Sequence, residues 1–371
     1  MGHMASTDAF AHYMAKLEGD DCYIAGLPGY PRNFSRDALL AGILAGNERL
    51  LLNQLAISCK YQGTANDPIT GEEPGKIHHE YPGYPLRQPY LSTYNACDTT
   101  ALYLIAIDYL GRLNMAAQQQ FVLINHKSVE LAVLYLQRHI HDDIFWEYPP
   151  AGAPQYSLRV TYWKDSIMPR ASQQEEPAYP VTIALAHFQA ARGLLAAASI
   201  MEKPELGHAA QRMYERGIST FITPTAFCIA QDSVGRLEQP SSDELHCLAY
   251  IPTDYVHHLP ITAIWSRTEP LITAAGISCA PRDVSCTLTD TYHGYMVWIF
   301  EQAFLHYASS KFGLPDLAAI TERCVAHIGD GQELLSVEPL IAPLGNTHQL
   351  WSVAAKEYFG TGASLRTVGG L

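Results

Sequence analysis

Apolar residues at three- and four-residue spacing recur along most of this 371-residue chain, while the two-residue alternation of half-buried strands is nearly absent. The spacing predicts helices at about 37–58, 99–112, 115–140, 180–201, 205–220, 243–250, 291–312, 315–328 and 347–358. Shorter ones are expected near 9–17, 167–173, 254–264 and 268–275, with Ala226–Ala230 as a short extended piece. Ser35 is placed to cap the first long helix. Residues 60–97 lose periodicity, but their content of Tyr81, Tyr84, Tyr90 and Tyr94 argues for an ordered loop. No linker rich in Gly, Ser or charge divides the chain, and no repeat of fixed period is visible. The expectation is one all-α domain over residues 5–371, with Met1-Gly2-His3-Met4 set aside as a cloning remnant. About a dozen helices joined by loops of unequal length fit hairpins closed into a double α-barrel, with a pocket at the long-loop rim. The same periodicity fits an α-solenoid. The missing repeat and the polar, aromatic loops favour the closed ring.

Charge and cysteine usage exclude several functions. The formal net charge is −13 and the 24 Lys and Arg residues are scattered, which argues against nucleic acid. No apolar run is long enough to span a bilayer, and the N-terminus shows no basic region followed by an apolar core. Eight dispersed cysteines without a C-x-x-C pair read as free thiols of a cytoplasmic protein. A neutral small molecule is the partner that fits.

Chemistry concentrates in the loops. Phe145-Trp146-Glu147-Tyr148 and Tyr162-Trp163-Lys164-Asp165-Ser166 bring aromatic rings, two carboxylates and a cation within about twenty residues, and Pro149, Pro150, Gly152 and Pro154 keep the connection non-helical. Rings that bury a carboxylic acid raise its pKa and keep it protonated near neutral pH, as protonation of a glycosidic oxygen requires. The plainer reading is a Trp-rich helix connection with a surface ion pair. Phe34, Arg36 and Asp37 end a Gly- and Pro-rich lead-in; Arg36 can donate to, and Asp37 accept from, vicinal sugar hydroxyls, or Asp37 can simply favour a helix start. Asp98 precedes a helix and can cap it, orient a substrate hydroxyl, or both. Adjacent His78 and His79 rarely converge on one metal ion. His139 and His141, beside Asp142 and Asp143, do not share a helix face, so no metal site is expected. Glu301, one turn inside its helix, reads as structural. Glu333, in a loop beside Gly329 and Gly331, is the better second carboxylate.

The motifs Leu27-Pro28 through Arg36-Asp37, Glu73 through His78-His79-Glu80, Phe145-Trp146-Glu147-Tyr148, Trp163-Lys164-Asp165-Ser166, Tyr292-His293-Gly294 with Val297-Trp298, and Gln349-Leu350-Trp351-Ser352 follow in a familiar order. In that order the chain resembles the bacterial amylo-α-1,6-glucosidase (glycogen-debranching C-terminal domain) type of six-hairpin glycosidase, related to the processing α-glucosidase and mannosylglycerate hydrolase family. The resemblance implies an (α/α)6 barrel and an inverting hydrolysis. It places Asp165 at the general-acid position and Glu333 at the general-base position. Arg36, Asp37, Phe34, His79, Glu80, Asp98, Glu147, Trp163, Tyr292, His293, Trp298 and Trp351 are then the substrate-binding residues. Ile299 and Gln332 stand where the family usually has proline, and Glu338 is the alternative base.

Under this expectation Asp165 protonates the glycosidic oxygen while Glu333 activates a water on the opposite face of the sugar. The two carboxyls should stand about 6.5–9.5 Å apart in an inverting enzyme. Tyr162, Trp163, Tyr292 and Trp298 would stack on or enclose the sugar, and Lys164 would point to solvent. No metal or cofactor is required. The expected substrate is a small α-linked glucoside or oligosaccharide, attacked at its terminal sugar. Two other classes are carried forward. One is a sugar isomerase or epimerase using His78, His79 and His293; the other is a carbohydrate-binding barrel without catalysis.

Overall fold

A computed structural model describes residues 6–19, 21–87, 89–148, 161–165, 169–170, 173–174, 177–285, 291–361 and 371. Its helices are α1 (Ser6–Leu17), α2 (Ser35–Ala45), α3 (Glu48–Lys60), α4 (Thr99–Leu113), α5 (Met115–Arg138), α6 (Ala184–Ile200) and α7 (Pro204–Phe221). After these come α8 (Asp243–Tyr250), α9 (Ile261–Thr268), the single turn α10 (Arg282–Ser285), α11 (Ile299–Lys311), α12 (Pro315–Thr321) and α13 (Leu350–Thr361). Six of them form an inner ring. α2 packs on α4, α4 on α6, α6 on α8, α8 on α11, α11 on α13, and α13 returns to α2, which closes an (α/α)6 barrel. Outside it, α3 packs on α2, α5 on α4, α7 on α6 and α12 on α11, while α1 covers α13.

Composition tells the two layers apart. α2 buries every residue from Ser35 to Leu44, the polar Ser35, Arg36 and Asp37 included, the behaviour of a helix surrounded by protein on all sides. α7 buries only Leu206, Ala210, Met213, Tyr214, Gly217, Ile218 and Phe221, a stripe at helical spacing that faces inward. No helix among the described residues is long and apolar enough to cross a membrane. The seven described cysteines are free thiols; Cys286 and residues 1–5 lie outside the described residues.

Several boundaries differ from expectation. The segment 37–58 is two helices, because Gly46 adopts a left-handed φ of 58° at the end of α2 and turns the chain into α3. Phe34, not Ser35, holds the N-cap position of α2, and the Ser35 hydroxyl instead meets His78. The expected helix from 291 starts only at Ile299, since Met296–Trp298 is a strand paired with Leu334–Ser336. The stretch near 254–275 splits into the 3-10 turn Thr253–His258, α9, the turn Glu269–Leu271 and the strand Ile272–Thr273. In place of a helix at 167–173, Pro169–Arg170 pairs with Gln173–Gln174, the intervening residues lying outside the described set.

Strands are short but more frequent than the alternation rule finds, because two- or three-residue pairings carry too little pattern to register. They cluster at the rim where the inner helices begin. Asn33–Phe34 pairs with Glu80–Tyr81 just before α2, Gly26–Leu27 with His348–Gln349 just before α13, and Thr182–Ile183 with Cys228–Gln231 just before α6.

The inner ring closes tightly where small residues meet. A Cβ on Gly193 of α6 would stand 3.2 Å from both the Cα and the carbonyl oxygen of Ala101 on α4, backbone that cannot step aside. Gly193→Val is expected to cost about 1–3 kcal/mol through overpacking. A urea melt showing less stability with native-like helical circular dichroism would bear this out; unchanged stability would mean the ring tolerates the wedge.

Candidate active site

The inner helices present their N-terminal ends at the strand-lined rim, and a cavity opens there. Ala25, Tyr30, Phe34, Arg36, Asp37, His79, Trp163, Asp165, Tyr292, His293, Trp298, Glu333, Gln349 and Trp351 line it. Eleven of the expected residues converge on this one space, although they span nearly the whole chain. Two other surface hollows, one beside Ile218 and Tyr255 and one beside Phe10 and Val353, gather no comparable set of carboxylates and aromatic rings.

Arg36 and Asp37 sit in the first turn of α2, where the positive end of the helix dipole favours a carboxylate. Arg36 is committed to the protein. Its Nε and Nη2 grip the two oxygens of Asp98 at 2.8 and 2.9 Å, and Nη2 also donates to the Thr161 carbonyl at 3.0 Å. Burial pulls the guanidinium's pKa down, but Asp98 outweighs it and the group stays charged. Asp98 therefore occupies the N-cap position of α4 without capping it; its carboxylate is spent on Arg36. Burial, with the nearby charge of Glu333, raises Asp37 to about 8 against the pull of Arg36 and of the amide that Gln349 donates at 2.9 Å.

Glu333 precedes the strand Leu334–Ser336 and is nearly fully buried. The backbone amide of Asn346 donates to its Oε2 at 2.7 Å, the Asn346 side chain donates to the same atom at 3.1 Å, and the Tyr292 hydroxyl donates to Oε1. Burial raises its pKa and these donors partly offset the rise. Asn346 Nδ2 also donates to Gln349 Oε1 at 2.8 Å, so one amide relay links Glu333 to Asp37. The alternative base, Glu338, is exposed and paired with Arg282 at 2.8 Å, outside the cavity. Tyr30 stands 3.3 Å from the Tyr292 hydroxyl; burial, together with the charges of Glu333, Asp165 and Asp37, lifts its pKa to about 12.

The opposite wall is aromatic. Trp163 meets His293, Trp298 and Phe300 edge to face with centroids at 5.3, 5.6 and 5.0 Å. His293 stacks on Trp298 at 4.9 Å, and Trp351 packs edge-on to Trp298 at 5.9 Å. The Trp163 and Trp351 indole nitrogens are buried with no hydrogen-bond partner among the described residues. His79 and His293 are held well below the usual histidine range, first by burial and then by nearby cations, so both are neutral at pH 7.

Three expected binding residues lie behind the wall instead of on it. Asp98 braces Arg36. Glu80 accepts from Ser92 and pairs with Arg32 at 2.9 Å. Glu147 accepts from Thr161, and its backbone pairs with Val181 ahead of α6. Tyr162 likewise turns from the cavity to donate to Asp243 at 3.0 Å. Lys164 does not reach solvent: it is buried against Asp243 at 3.0 Å and Glu301 at 3.6 Å. His139 is paired with Glu73 at 3.0 Å while His141 is exposed, so that cluster gathers no ligand set. Pro149, Pro150, Gly152, Pro154 and Ser166 lie outside the described residues. Sequence reasoning missed Ala25, Tyr30, Asn346 and Gln349 as parts of the site. Only the Gly-rich lead-in to Arg36 and the polar run before α13 pointed towards them.

No protein-family model matches this chain, and no curated protein matches it by sequence. Solved structures do resemble it. GH63 mannosylglycerate hydrolase from Thermus thermophilus superposes with a TM-score of 0.69 at 11% identity, covering 97% of this chain and 100% of that one. A rhamnosidase from Klebsiella oxytoca gives 0.56 at 13% identity over 96% of this chain and 63% of that one. A D-mannose isomerase gives 0.57 at 9% identity over 96% of each. At these identities the likeness establishes the fold alone.

Asp37 yields a test of the site's electrostatics. Unfolded, it loses its proton in the ordinary carboxylate range; folded, it keeps it to about pH 8. Between these limits the native state binds more protons than the unfolded one, so this group's contribution to stability falls as pH rises. Asp37→Asn is expected to leave stability near about pH 4 little changed and to raise it relative to wild type near about pH 9. Urea midpoints at the two pH values check this, and an equal difference at both would mean that folding does not raise the pKa of Asp37.

Proposed function

We propose that this chain is an inverting glycoside hydrolase that releases a terminal sugar, with Asp165 as general acid and Glu333 as general base. The observation that carries the reading is the placing of Asp165 and Glu333 in one cavity, with an aromatic wall between the Arg36–Asp37 turn and the Tyr292–Trp298 segment. In this scheme Asp165 protonates the glycosidic oxygen as its bond to the anomeric carbon breaks. Glu333 takes a proton from the attacking water on the other face of the ring. Its donors, Tyr292 and Asn346, hold the carboxylate in place, and its raised pKa makes it a stronger base near neutral pH. Asp37 supplies an acceptor for a hydroxyl, and the rings of Trp163, Trp298 and Trp351 cover the apolar faces of the sugar. The chemistry written here draws on side chains alone.

The charge inventory favours a neutral sugar. Among the described lining residues Arg36 is the only cation, and Asp98 neutralises it, while Asp37, Asp165 and Glu333 are all carboxylates. An α-linked glucoside or short oligosaccharide is the substrate proposed, on the motif resemblance together with this inventory. A second reading, isomerisation of a reducing sugar, draws support from the two neutral histidines His79 and His293 on the same cavity.

Incubation with α-linked disaccharides and glucosides, followed by NMR of the first sugar released, separates these outcomes. Initial β-anomer supports inversion and α-anomer overturns it. Aldose–ketose interconversion without bond cleavage would move the assignment to the isomerase. Asp165→Asn and Glu333→Gln are each expected to lower kcat by roughly 10³-fold or more with circular dichroism unchanged; near-normal turnover would remove that residue from the mechanism. Replacing the sugar's hydroxymethyl group by a carboxylate is expected to lower kcat/KM by roughly tenfold or more, because the added charge meets the Glu333 carboxylate and, among the described lining residues, no cation that is not already paired.

A further inference from the structure

The segment carrying Asp165 is fastened to the ring by its alternate residues. Trp163 and Asp165 line the cavity, while Tyr162 and Lys164 both reach Asp243, the first residue of α8. The Lys164 ammonium is buried, 3.0 Å from Asp243 Oδ1 and 3.6 Å from Glu301 Oε1 in the first turn of α11. It also donates to the Ser242 and Ser241 hydroxyls at 2.7 and 3.2 Å and to the Cys279 carbonyl at 3.5 Å. Its two carboxylates are themselves held: Ser241 donates to Asp243 at 3.2 Å and Ser242 to Glu301 at 2.6 Å. At the other end of the segment the Thr161 carbonyl accepts from the Cys97 amide at 3.1 Å and from Arg36 at 3.0 Å. The five residues therefore span from α2 and α4 to α8 and α11.

Asp243, His246 and Glu301 present donor atoms within 4.8 Å of one another, a set whose chemistry suits a cation. Here the chain supplies that cation itself. We infer that Lys164 is a positioning residue: its ammonium, bound to Asp243 and Glu301, fixes where the neighbouring Asp165 carboxyl stands relative to Glu333. The inference rests on the hydrolase reading above. Burial alone would push Lys164 to shed its proton, but Asp243 and Glu301 outweigh burial and hold its pKa above the usual lysine value, so the tether stays charged through the working pH range. The two carboxylates share the one ammonium.

A misplaced general acid leaves a kinetic signature that a loosened fold does not. Leaving groups that depart without a proton, such as fluoride or 2,4-dinitrophenolate, do not need the acid; an alkyl or sugar leaving group does. Lys164→Met is expected to lower kcat on an alkyl glycoside by roughly 30- to 100-fold with KM within about threefold, as a displacement of about 1 Å can. The loss on the glycosyl fluoride or dinitrophenyl glycoside should stay within about threefold. Asp165→Asn should show the same pattern with a larger loss. If Lys164→Met fails to fold, leaving two carboxylates buried without their cation, the neutral set Lys164→Met with Asp243→Asn and Glu301→Gln is read in its place. Equal losses on both substrate types would make Lys164 merely structural, and no loss on either would strip it of any role; both overturn the inference. A wild-type enzyme that cleaves neither substrate fails the hydrolase reading itself, and the inference falls with it.

Discussion

Carboxylates gathered inside a helical ring must each meet a cation or several donors, because a buried ion without partners costs several kcal/mol. This constraint shapes the whole rim. Asp37, Asp98, Asp243 and Glu301 all stand where inner helices begin, at the positive ends of the helix dipoles. Dipoles alone are too weak to hold them there. Two buried cations complete the balance, Arg36 against Asp98 and Lys164 against Asp243 and Glu301. Arg36 joins the beginnings of α2 and α4, and Lys164 joins those of α8 and α11.

The same two cations frame the cavity. The segment from Thr161 to Asp165 is tied at one end to Arg36 and at the other to the Lys164 cluster. Across from it, Glu333 is held by Asn346 on the chain that leads into α13. Asp165 and Glu333 are thus both carried on stretches of chain fastened by buried polar contacts. Such support is what the proposed pair of proton-transferring groups requires.

Legibility in the sequence followed chain distance. The helices were readable because burial on a helix leaves a local period, and the Arg36–Asp37 turn stood out through its Gly- and Pro-rich approach. Glu333 stood out as a loop carboxylate beside glycines. Lys164 was unreadable: its charge looks solvated beside Asp165, and the serine it binds lies 78 residues further on. Asp98 and Glu147 looked like site residues by type and loop position, yet they brace the wall from behind because Arg36 and Thr161 claim them. The strand pairs escaped because two residues carry no alternation to detect.

By itself the sequence determined the helical content, the absence of a dividing linker and the chemical types available in each loop, since these depend on local spacing and composition. Only the tertiary structure decided that α13 closes on α2, that Glu333 and not Glu338 faces the cavity, and that the Lys164 ammonium is spent inside the protein. These are questions of which distant groups meet and neutralise one another, and only packing the ring answers them.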